Sequence, residues 1–509
     1  MLKENTVHEV EIIDLGHSGE GIGKIGAIPV FVEGVLIGDR VKIRLSKVRK
    51  NYAAAELIEM IHPSEDRVES VCPVVSSCGG CQIMQMDYQK QLDLKQKTLG
   101  ECLRRIGGLE EIKSDPVIGM AEPFYYRNKS QYPIRKTGKE IEVGFFRKRS
   151  HDIVPIRRCY IDAKGGELLL RLVKDWVREQ PISVYDEKEH RGNLRQIILR
   201  SAKGGAAFML ILVTREKKKL EAAALIEKIE EAFPDKRWTL IQNINEDKTN
   251  VIMGKKNLTL RGEGFIEEEL CRLRYDEKSA AYVKEENPSA LVYRIYPSSF
   301  FQVNTAQTEI LYSLTADFAE IESGDIVFDL YCGLGSISLF LAREAKKVYG
   351  VEIVKEAIEG AIQNAVLNKI ENAEFFAGKT EELLPRLLAR GIRPDVVILD
   401  PPRKGCEESV LRGILSAAPK RIVYVSCNPA TLARDLKTLI AEGLYRVEKV
   451  RPVDMFPHTV HVETVCLLIR KDVKNHFRFE LDVSALKKEK KSIEPTINKL
   501  GSMFYKKMD

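Results

Sequence analysis

No uninterrupted apolar run of roughly 18 residues occurs in the sequence, which excludes a membrane-spanning helix on hydropathy grounds. The opening stretch MLKENTVHEV has no signal-peptide pattern. The expectation is a cytoplasmic protein with no membrane partner. Repeats with a period of about 20–50 residues are also missing, so a solenoid is excluded. Strong basicity is missing too: 80 Lys and Arg stand against 74 Asp and Glu, a net charge of +6. Net charge alone therefore says little about nucleic acid. The ten cysteines lack a secretory context, which argues against a disulfide scaffold.

What is present is unevenly distributed. At 509 residues the chain exceeds the roughly 250–300 at which single cores stop growing, so several domains are expected. RVKIRLSKVRKNY (Arg40 to Tyr52), YYRNKSQYPIRKTGK (Tyr125 to Lys139) and FFRKRSH (Phe145 to His151) interleave cations with aromatics. Cations contact phosphates and rings stack on bases, so the mixture suits RNA or DNA.

Residues 1–62 read as short strands separated by glycine-rich turns, notably GHSGEGIGKIG, and suggest an OB-like β-barrel. Residues 63–290 read as a central α+β domain. Within it, about 84–110 show helical spacing with a Gly-Gly stop and are expected to pack on the catalytic domain. From about 291 to 471, apolar strands alternate with amphipathic helices, the pattern of an α/β doubly wound, Rossmann-like sheet. The charged segment 472–509 is expected to be a peripheral tail.

Ligands of such sheets lie beyond the carboxyl ends of the strands. VFDLYCGLGSISL ends a strand near Asp329, turns through Gly333 and Gly335, and opens a helix at about Ser336. Glycines there allow a ligand close to the main chain. The spacing of this turn is not G-x-G-x-x-G and no phosphate-binding lysine follows it, so a phosphate loop is excluded here. VYGVEIV sets Glu352 at the second strand end, where an acid accepts hydrogen bonds from ribose hydroxyls. A ligand with a ribose but no phosphates, S-adenosylmethionine, suits this order. VVILDPPRKG brings Asp400 to a third strand end, facing either cofactor or substrate base, before two prolines lead the chain out of the sheet.

YVSCNPATLARDL sets Cys427 at the next strand end, in the same crevice, followed by a helix start. A helix start can lower a thiol pKa from near 8.5, which favours a nucleophile. Downstream, DMFPHTVHVETVCLLIRK offers Glu463 at the head of an apolar strand as general base, with His458 and His461 as weaker candidates. Cys102, Cys271 and Cys466 read as packing residues, Cys332 sits inside the glycine turn where small size is what counts, and Cys406 is left unassigned.

CPVVSSCGGC supplies Cys72, Cys78 and Cys81 in the spacing C-x5-C-x2-C, with Cys159 in RRCYI as a fourth thiol. Four such thiolates suit either zinc or an iron–sulfur cluster.

Taken in order, SFFQVN, DLYCGLG, GVEIV, LDPPRKG, YVSCNPATLARD and DMFPHTVHVETV resemble the RumA/TrmA family of RNA uracil-5-methyltransferases. GEGIGK, PVFV and GDRV resemble a TRAM domain. Together the likeness covers about residues 8 to 470. It implies that Cys427 attacks C6 of a flipped uracil, that C5 takes the methyl from S-adenosylmethionine, and that Glu463 removes the C5 proton. It implies Gln302, Tyr331, Glu352 and Asp400 around cofactor or base. It also implies a [4Fe–4S] cluster on Cys72, Cys78, Cys81 and Cys159, a monomer, and 23S ribosomal RNA as substrate, a tRNA uracil being the alternative. A non-catalytic RNA-binding protein is disfavoured because Cys427 and Glu463 are both present. RLRYDEKSAAYVKEENPSALV (Arg272 to Val292), in the extra segment set at about 271–291, is longer than the usual join, and Gly378-Lys379 stands where relatives often carry an acid.

Overall fold

Alternation of buried and solvent-facing residues builds the first layer. In the strand Arg40–Val48, Val41, Ile43 and Leu45 are fully buried while Arg44 faces solvent, the two-residue period of a half-buried strand. The computed structural model describes residues 2–138, 140–286 and 289–471. The tail 472–509 therefore lies outside the described residues. Residues 7–15 pair with both ends of one six-stranded sheet: Val7–Glu11 with Arg40–Val48, and Asp14–Leu15 with Gly21–Ile25. Because one stretch of chain borders both edges, the sheet closes on itself as a barrel around Val10, Val30, Val32 and Val41.

The strand Gly21–Ile25 sits where GHSGEGIGKIG reads as a turn. A Cβ on Gly21 would lie 2.3 Å from Val35 Cγ2. The glycines let this strand press against the barrel core, so a turn-like composition serves close packing instead.

A seven-stranded sheet follows, ordered Lys256–Arg261, Arg237–Ile244, Ala207–Thr214, Leu194–Ala202, Lys129–Thr137, Glu140–Phe146 and Ile153–Pro155. Ala207–Thr214 is buried at every residue because both faces are covered. One face packs under the helices Gly166–Glu179 and Ala223–Ala232 through Trp176, Leu225 and Ile229. The opposite face contributes Met209, Ile211 and Val213 to a core shared with Leu311 and Ile337 of the helices Thr305–Ala319 and Ser336–Ala342 and Val465 of the third sheet. The central and C-terminal parts thus share one apolar interior, where each fully buried aliphatic contributes about 1.5–3 kcal/mol.

Ile266–Cys271 pairs antiparallel with Ala290–Ile295 as a two-stranded ribbon, and Leu273–Asp276 pairs with Ala281–Lys284 as a smaller hairpin. Arg272 and Tyr282 both bind Asp317, at 2.6 and 2.7 Å, which ties the hairpin to the helix Thr305–Ala319.

The third sheet comprises β1 (Ile326–Leu330), β2 (Lys347–Glu352), β3 (Ala373–Ala377), β4 (Val396–Leu399), β5 (Arg421–Ser426), β6 (Tyr445–Val453) and β7 (Glu463–Arg470). Its order is β3-β2-β1-β4-β5-β7-β6. The first five strands are parallel; β7 runs antiparallel to β5 and β6. The helix Tyr88–Arg105 is capped by Asp87 and packs on the helix Pro429–Ile440, with Leu99 and Leu103 in the core beneath β4 and β5. Among the described residues no helix is long and apolar enough to cross a membrane.

Candidate active site

Parallel strands end on one edge, and register decides which side chains meet there. Leu330 pairs with Val351 and with Leu399, so Tyr331, Glu352 and Asp400 emerge level with one another. Ser426 pairs with Thr464 across the antiparallel β5–β7 ladder. The residue after β5 therefore abuts the first residue of β7, and Cys427 meets Glu463. A one-residue slip would send Glu463 to the other face.

The turn after β1 is strained in the way a close ligand requires. Tyr331 has φ +73°, with Gly333 at +55° and Gly335 at +72°. A Cβ on Gly335 would lie 2.9 Å from the Phe375 ring. Glu352 accepts from the Gly333 N–H at 3.3 Å and from the Val354 N–H at 2.9 Å, so one carboxylate braces two turns. The phenol of Tyr331 lies near Cys406 and Thr380, against the core beneath the sheet, so it is the main chain that lines the turn. Gln302 is 5% exposed on the loop leading into Thr305–Ala319, and its carbonyl accepts from Asn128 at 3.0 Å. Asp329 is fully buried; it accepts from Ser338, and its second carboxylate oxygen has no partner.

A line of carboxyls crosses the crevice. Burial raises Asp329 to about 6, with Glu352 adding to it. Burial and then Asp329 raise Asp400 to about 7. Burial and then Asp400 raise Glu463 to about 8, while Arg403 opposes. Cys427 is pushed up to about 12 by burial, then by Glu463 and Asp400, again opposed by Arg403. This overturns the expectation of a thiol eased by its helix. The helix begins at Pro429 with Asn428 as its cap, leaving Cys427 outside the first turn, and burial beside two acids outweighs the helix terminus.

The two histidines part company. His458 is buried and stacks on Phe124 at 4.6 Å, and its main-chain N–H donates to Gln91 at 2.9 Å. His461 is half-buried and feels Arg403. Burial lowers both to about 4, so both rings are neutral at pH 7.

Sequence reasoning missed three residues here. Arg403 is the cation nearest in effect to Cys427, Glu463 and His461, and its place in DPPRKG was the available signal. Lys95 and Gln91 come from the helix Tyr88–Arg105. Lys95 forms a wholly buried ion pair with Asp454 at 2.5 Å and donates to the Phe456 carbonyl at 3.1 Å. Tyr88 adds a bond to Asp454 at 2.8 Å. These bonds fix the loop Asp454–Val462 that delivers Glu463.

Cys72, Cys78, Cys81 and Cys159 are all half-buried and free. Three of them border a small apolar cluster of Met84, Tyr126 and Ile161. Burial is the first cause of raised thiol pKa values at Cys78, Cys81 and Cys159. Cys72 and Cys78 add to Cys81, and Cys81 adds to Cys159. Among the described residues no three His, Cys, Asp or Glu converge so as to hold a single metal ion. Cys102 is half-buried, whereas Cys271, Cys332, Cys406 and Cys466 are buried.

Residues 276–471 match the family described as tRNA (Uracil-5-)-methyltransferase, and residues 2–58 match the TRAM domain. The chain is 43% identical to an "Uncharacterized RNA methyltransferase" of Clostridium tetani, covering 92% of this chain and 97% of the relative. It is 42% identical to a protein of the same description from Halalkalibacterium halodurans, over 92% and 98%. Its fold is similar to that of the Pyrococcus abyssi tRNA (uracil-54, C5)-methyltransferase in complex with S-adenosyl-L-homocysteine. That likeness has a TM-score of 0.68 and 28% identity, over 90% of this chain and 100% of that one.

Proposed function

The chain belongs to the S-adenosylmethionine-dependent RNA uracil-5-methyltransferases, and on that premise we propose that it methylates C5 of a uridine in 23S ribosomal RNA through a covalent adduct at Cys427. The observation that carries the mechanism is the meeting of Cys427 and Glu463 at paired ends of β5 and β7. Uracil C5 is a poor nucleophile until C6 is saturated. Cys427 Sγ bonds to C6, and C5 becomes an enolate-like carbon. Bound S-adenosylmethionine supplies a methyl group on a positively charged sulfonium, which C5 accepts. Glu463, once ionised, takes the C5 proton; the C6–S bond then breaks and the C5–C6 double bond returns. Arg403 favours the thiolate, the form in which Cys427 attacks.

Gln302, Glu352, Asp400 and the main chain at Tyr331 hold the cofactor in this reading. The unpartnered oxygen of Asp329 and the row of acids beside it suit a cationic ligand. Access to a stacked base requires flipping.

RNA containing 5-fluorouridine tests the adduct, because fluorine at C5 leaves no proton to remove. Wild-type protein becomes linked to it in the presence of S-adenosylmethionine, and Cys427→Ala does not. Failure of the wild type to link would sink the mechanism.

The choice of 23S rRNA rests on the barrel together with the four cysteines. A tRNA uracil is the second reading, favoured by the archaeal tRNA enzyme, whose layout covers 90% of this chain. Mapping 5-methyluridine in both RNAs from a strain lacking the gene separates the two.

For Cys72, Cys78, Cys81 and Cys159 the reading is a [4Fe–4S] cluster. Burial raises the thiols of Cys78, Cys81 and Cys159, and nearby cysteines add to each, which suits a group that neutralises thiolate charge. A multi-iron cluster does not require its ligands to converge on one point. Iron and acid-labile sulfide measured on anaerobically purified protein, wild type against Cys81→Ser, test this directly.

A further inference from the structure

The stretch Pro297–Val303 joins the ribbon to the helix Thr305–Ala319 and belongs to no helix or strand. It carries Gln302, only 5% exposed, two residues after the 69% exposed Phe300. Among the described residues the side-chain amide of Gln302 makes no hydrogen bond to the protein, so the backbone beneath it decides where it points. Main-chain groups in such a stretch have no ladder partners and must be satisfied from elsewhere. The central sheet satisfies them. Arg200, 3% exposed, donates through Nη2 to the carbonyls of Pro297 (3.2 Å) and Ser299. Lys129 is the register partner of Arg200, and Asn128, just before it, serves the part of the stretch that holds Gln302.

Asn128 bonds in three directions. Its main-chain N–H donates to the Val303 carbonyl at 2.8 Å, and its own carbonyl accepts from the Ser201 N–H at 2.8 Å. Its Nδ2 donates to the Gln302 carbonyl at 3.0 Å and to Thr305 Oγ1 at 3.1 Å. A carbonyl can only accept, so the nitrogen of the Asn128 amide has to face it. Thr305 passes the restraint on. Its hydroxyl donates at 2.9 Å to Glu268, which is 2% exposed and also accepts from the main-chain N–H groups of Lys203 (2.8 Å) and Glu269 (3.1 Å). Asn128 precedes the strand Lys129–Thr137, Glu268 lies in Ile266–Cys271, and Thr305 opens its helix, so three separate elements hold one network. A buried network with its members satisfied specifies one geometry. The segment before Asn128 is held on its other edge as well: Tyr125 and Arg127 donate to the carbonyls of Tyr160 (2.9 Å) and Ile161 (2.7 Å).

We propose that Asn128 is a positioning residue for S-adenosylmethionine binding: by holding the Gln302 carbonyl and engaging Thr305 and Glu268, it aims the Gln302 side chain at the cofactor. The inference deepens the reading in which Gln302 holds the cofactor, and rests on it. Calorimetric titration of the full-length protein with S-adenosylhomocysteine gives Kd for wild type, Asn128→Ala, Gln302→Ala and the double variant. Each single variant binds about fivefold to tenfold more weakly, the size of one or two net hydrogen bonds. The double variant binds no more weakly than Gln302→Ala alone, because Asn128 then has nothing to aim. Asn128→Asp keeps the shape, sets an oxygen against the Gln302 carbonyl, and weakens binding at least as much as Asn128→Ala. Thr305→Val weakens it too, and Thr305→Ser, which retains the hydroxyl, recovers most of the loss. An Asn128 that serves only folding would lower the urea midpoint and weaken binding by the same factor with or without Gln302. Losses that add in the double variant, or wild-type affinity in Asn128→Asp, overturn the proposal and leave the role of Gln302 intact. Wild-type affinity in Gln302→Ala removes the cofactor role of Gln302, and the proposal falls with it.

Discussion

The carboxyl row makes opposite predictions for two neighbours of Glu463, and that opposition is the sharpest test of the site. Glu463 sits at about 8 because burial and Asp400 raise it while Arg403 holds it down. At pH 7 roughly a tenth of such a group is ionised in the free protein. In the proposed mechanism only that fraction accepts a proton, so kcat/KM should climb with pH along an acid limb that reports Glu463 and Asp400 as a coupled pair. Asp400→Asn removes the raising charge. At an effective dielectric of about 20, one neighbouring charge is worth on the order of one pKa unit. The limb then moves down by about one unit, and roughly half of Glu463 is ionised at pH 7. Arg403→Gln removes the opposing cation, moves the limb up by about one unit and leaves about 1% ionised. The assay is methyl transfer from labelled S-adenosylmethionine to RNA between pH 5.5 and about 9.5, each variant scaled to its own plateau. Absolute rates fall in both variants for other reasons; the limb positions are the readout. Limbs that move in the same direction, or not at all, would refute the electrostatic account of this crevice.

Stability follows the same acids. The folded state holds the Glu463 proton more tightly than the unfolded chain, so wild-type stability declines as pH rises from about 4.5 through about 8. Glu463→Gln escapes that decline and should exceed wild type by on the order of 2–4 kcal/mol at pH 8.5, with no gain near pH 4, read by urea unfolding. Cofactor binding is a further test: S-adenosylmethionine carries a sulfonium charge that S-adenosylhomocysteine lacks. Calorimetry should find affinity for the former rising with pH between about 6 and 8 as Asp329 and Asp400 ionise, and a flatter profile for the latter. Lys95→Met strands the buried Asp454 charge and should cost about 3–5 kcal/mol of stability in denaturant titrations. Replacing Lys95 and Asp454 together by apolar residues should recover part of that loss. Gly335→Ala puts a methyl against Phe375 at a φ of +72°, and should weaken S-adenosylmethionine binding by at least tenfold in the same calorimetric assay.

The strand-end residues were legible because parallel strands terminate on one edge, so Glu352, Asp400 and Cys427 could be set in one crevice from the order of motifs alone. Glu463 was legible for a different reason: a carboxylate heading an apolar strand is costly without a purpose. Charge environment was not legible. The thiol of Cys427 was expected to be eased by its helix, yet burial and two acids push it the other way, and such neighbours come from strands far apart in sequence. Lys95 sits in DLKQK, where a lysine reads as the solvent side of an amphipathic helix; only its partner, 359 residues on, accounts for its burial. Arg200 is hidden in the same way, in the middle of an apolar strand. The strand Gly21–Ile25 was lost to its glycines. The helix Gly166–Glu179 was not separated from the β-rich stretch around it, since its start carries no side-chain cap to announce it.

The carbonyl of His458 accepts from the N–H groups of Gln82 and Ile83, both at 3.1 Å, and the carbonyl of Pro457 accepts from Tyr126 at 3.0 Å. All three donors flank Cys81 in sequence or share its apolar cluster, whereas Cys427 hangs from β5 and owes them nothing. Unravelling of that corner would spare Cys427, the proposed attacking sulfur, and misalign Glu463, the proposed proton acceptor. On the mechanism proposed above, a molecule damaged there would still seize its transcript yet be slow to release it, turning a worn catalyst into an obstruction on the RNA.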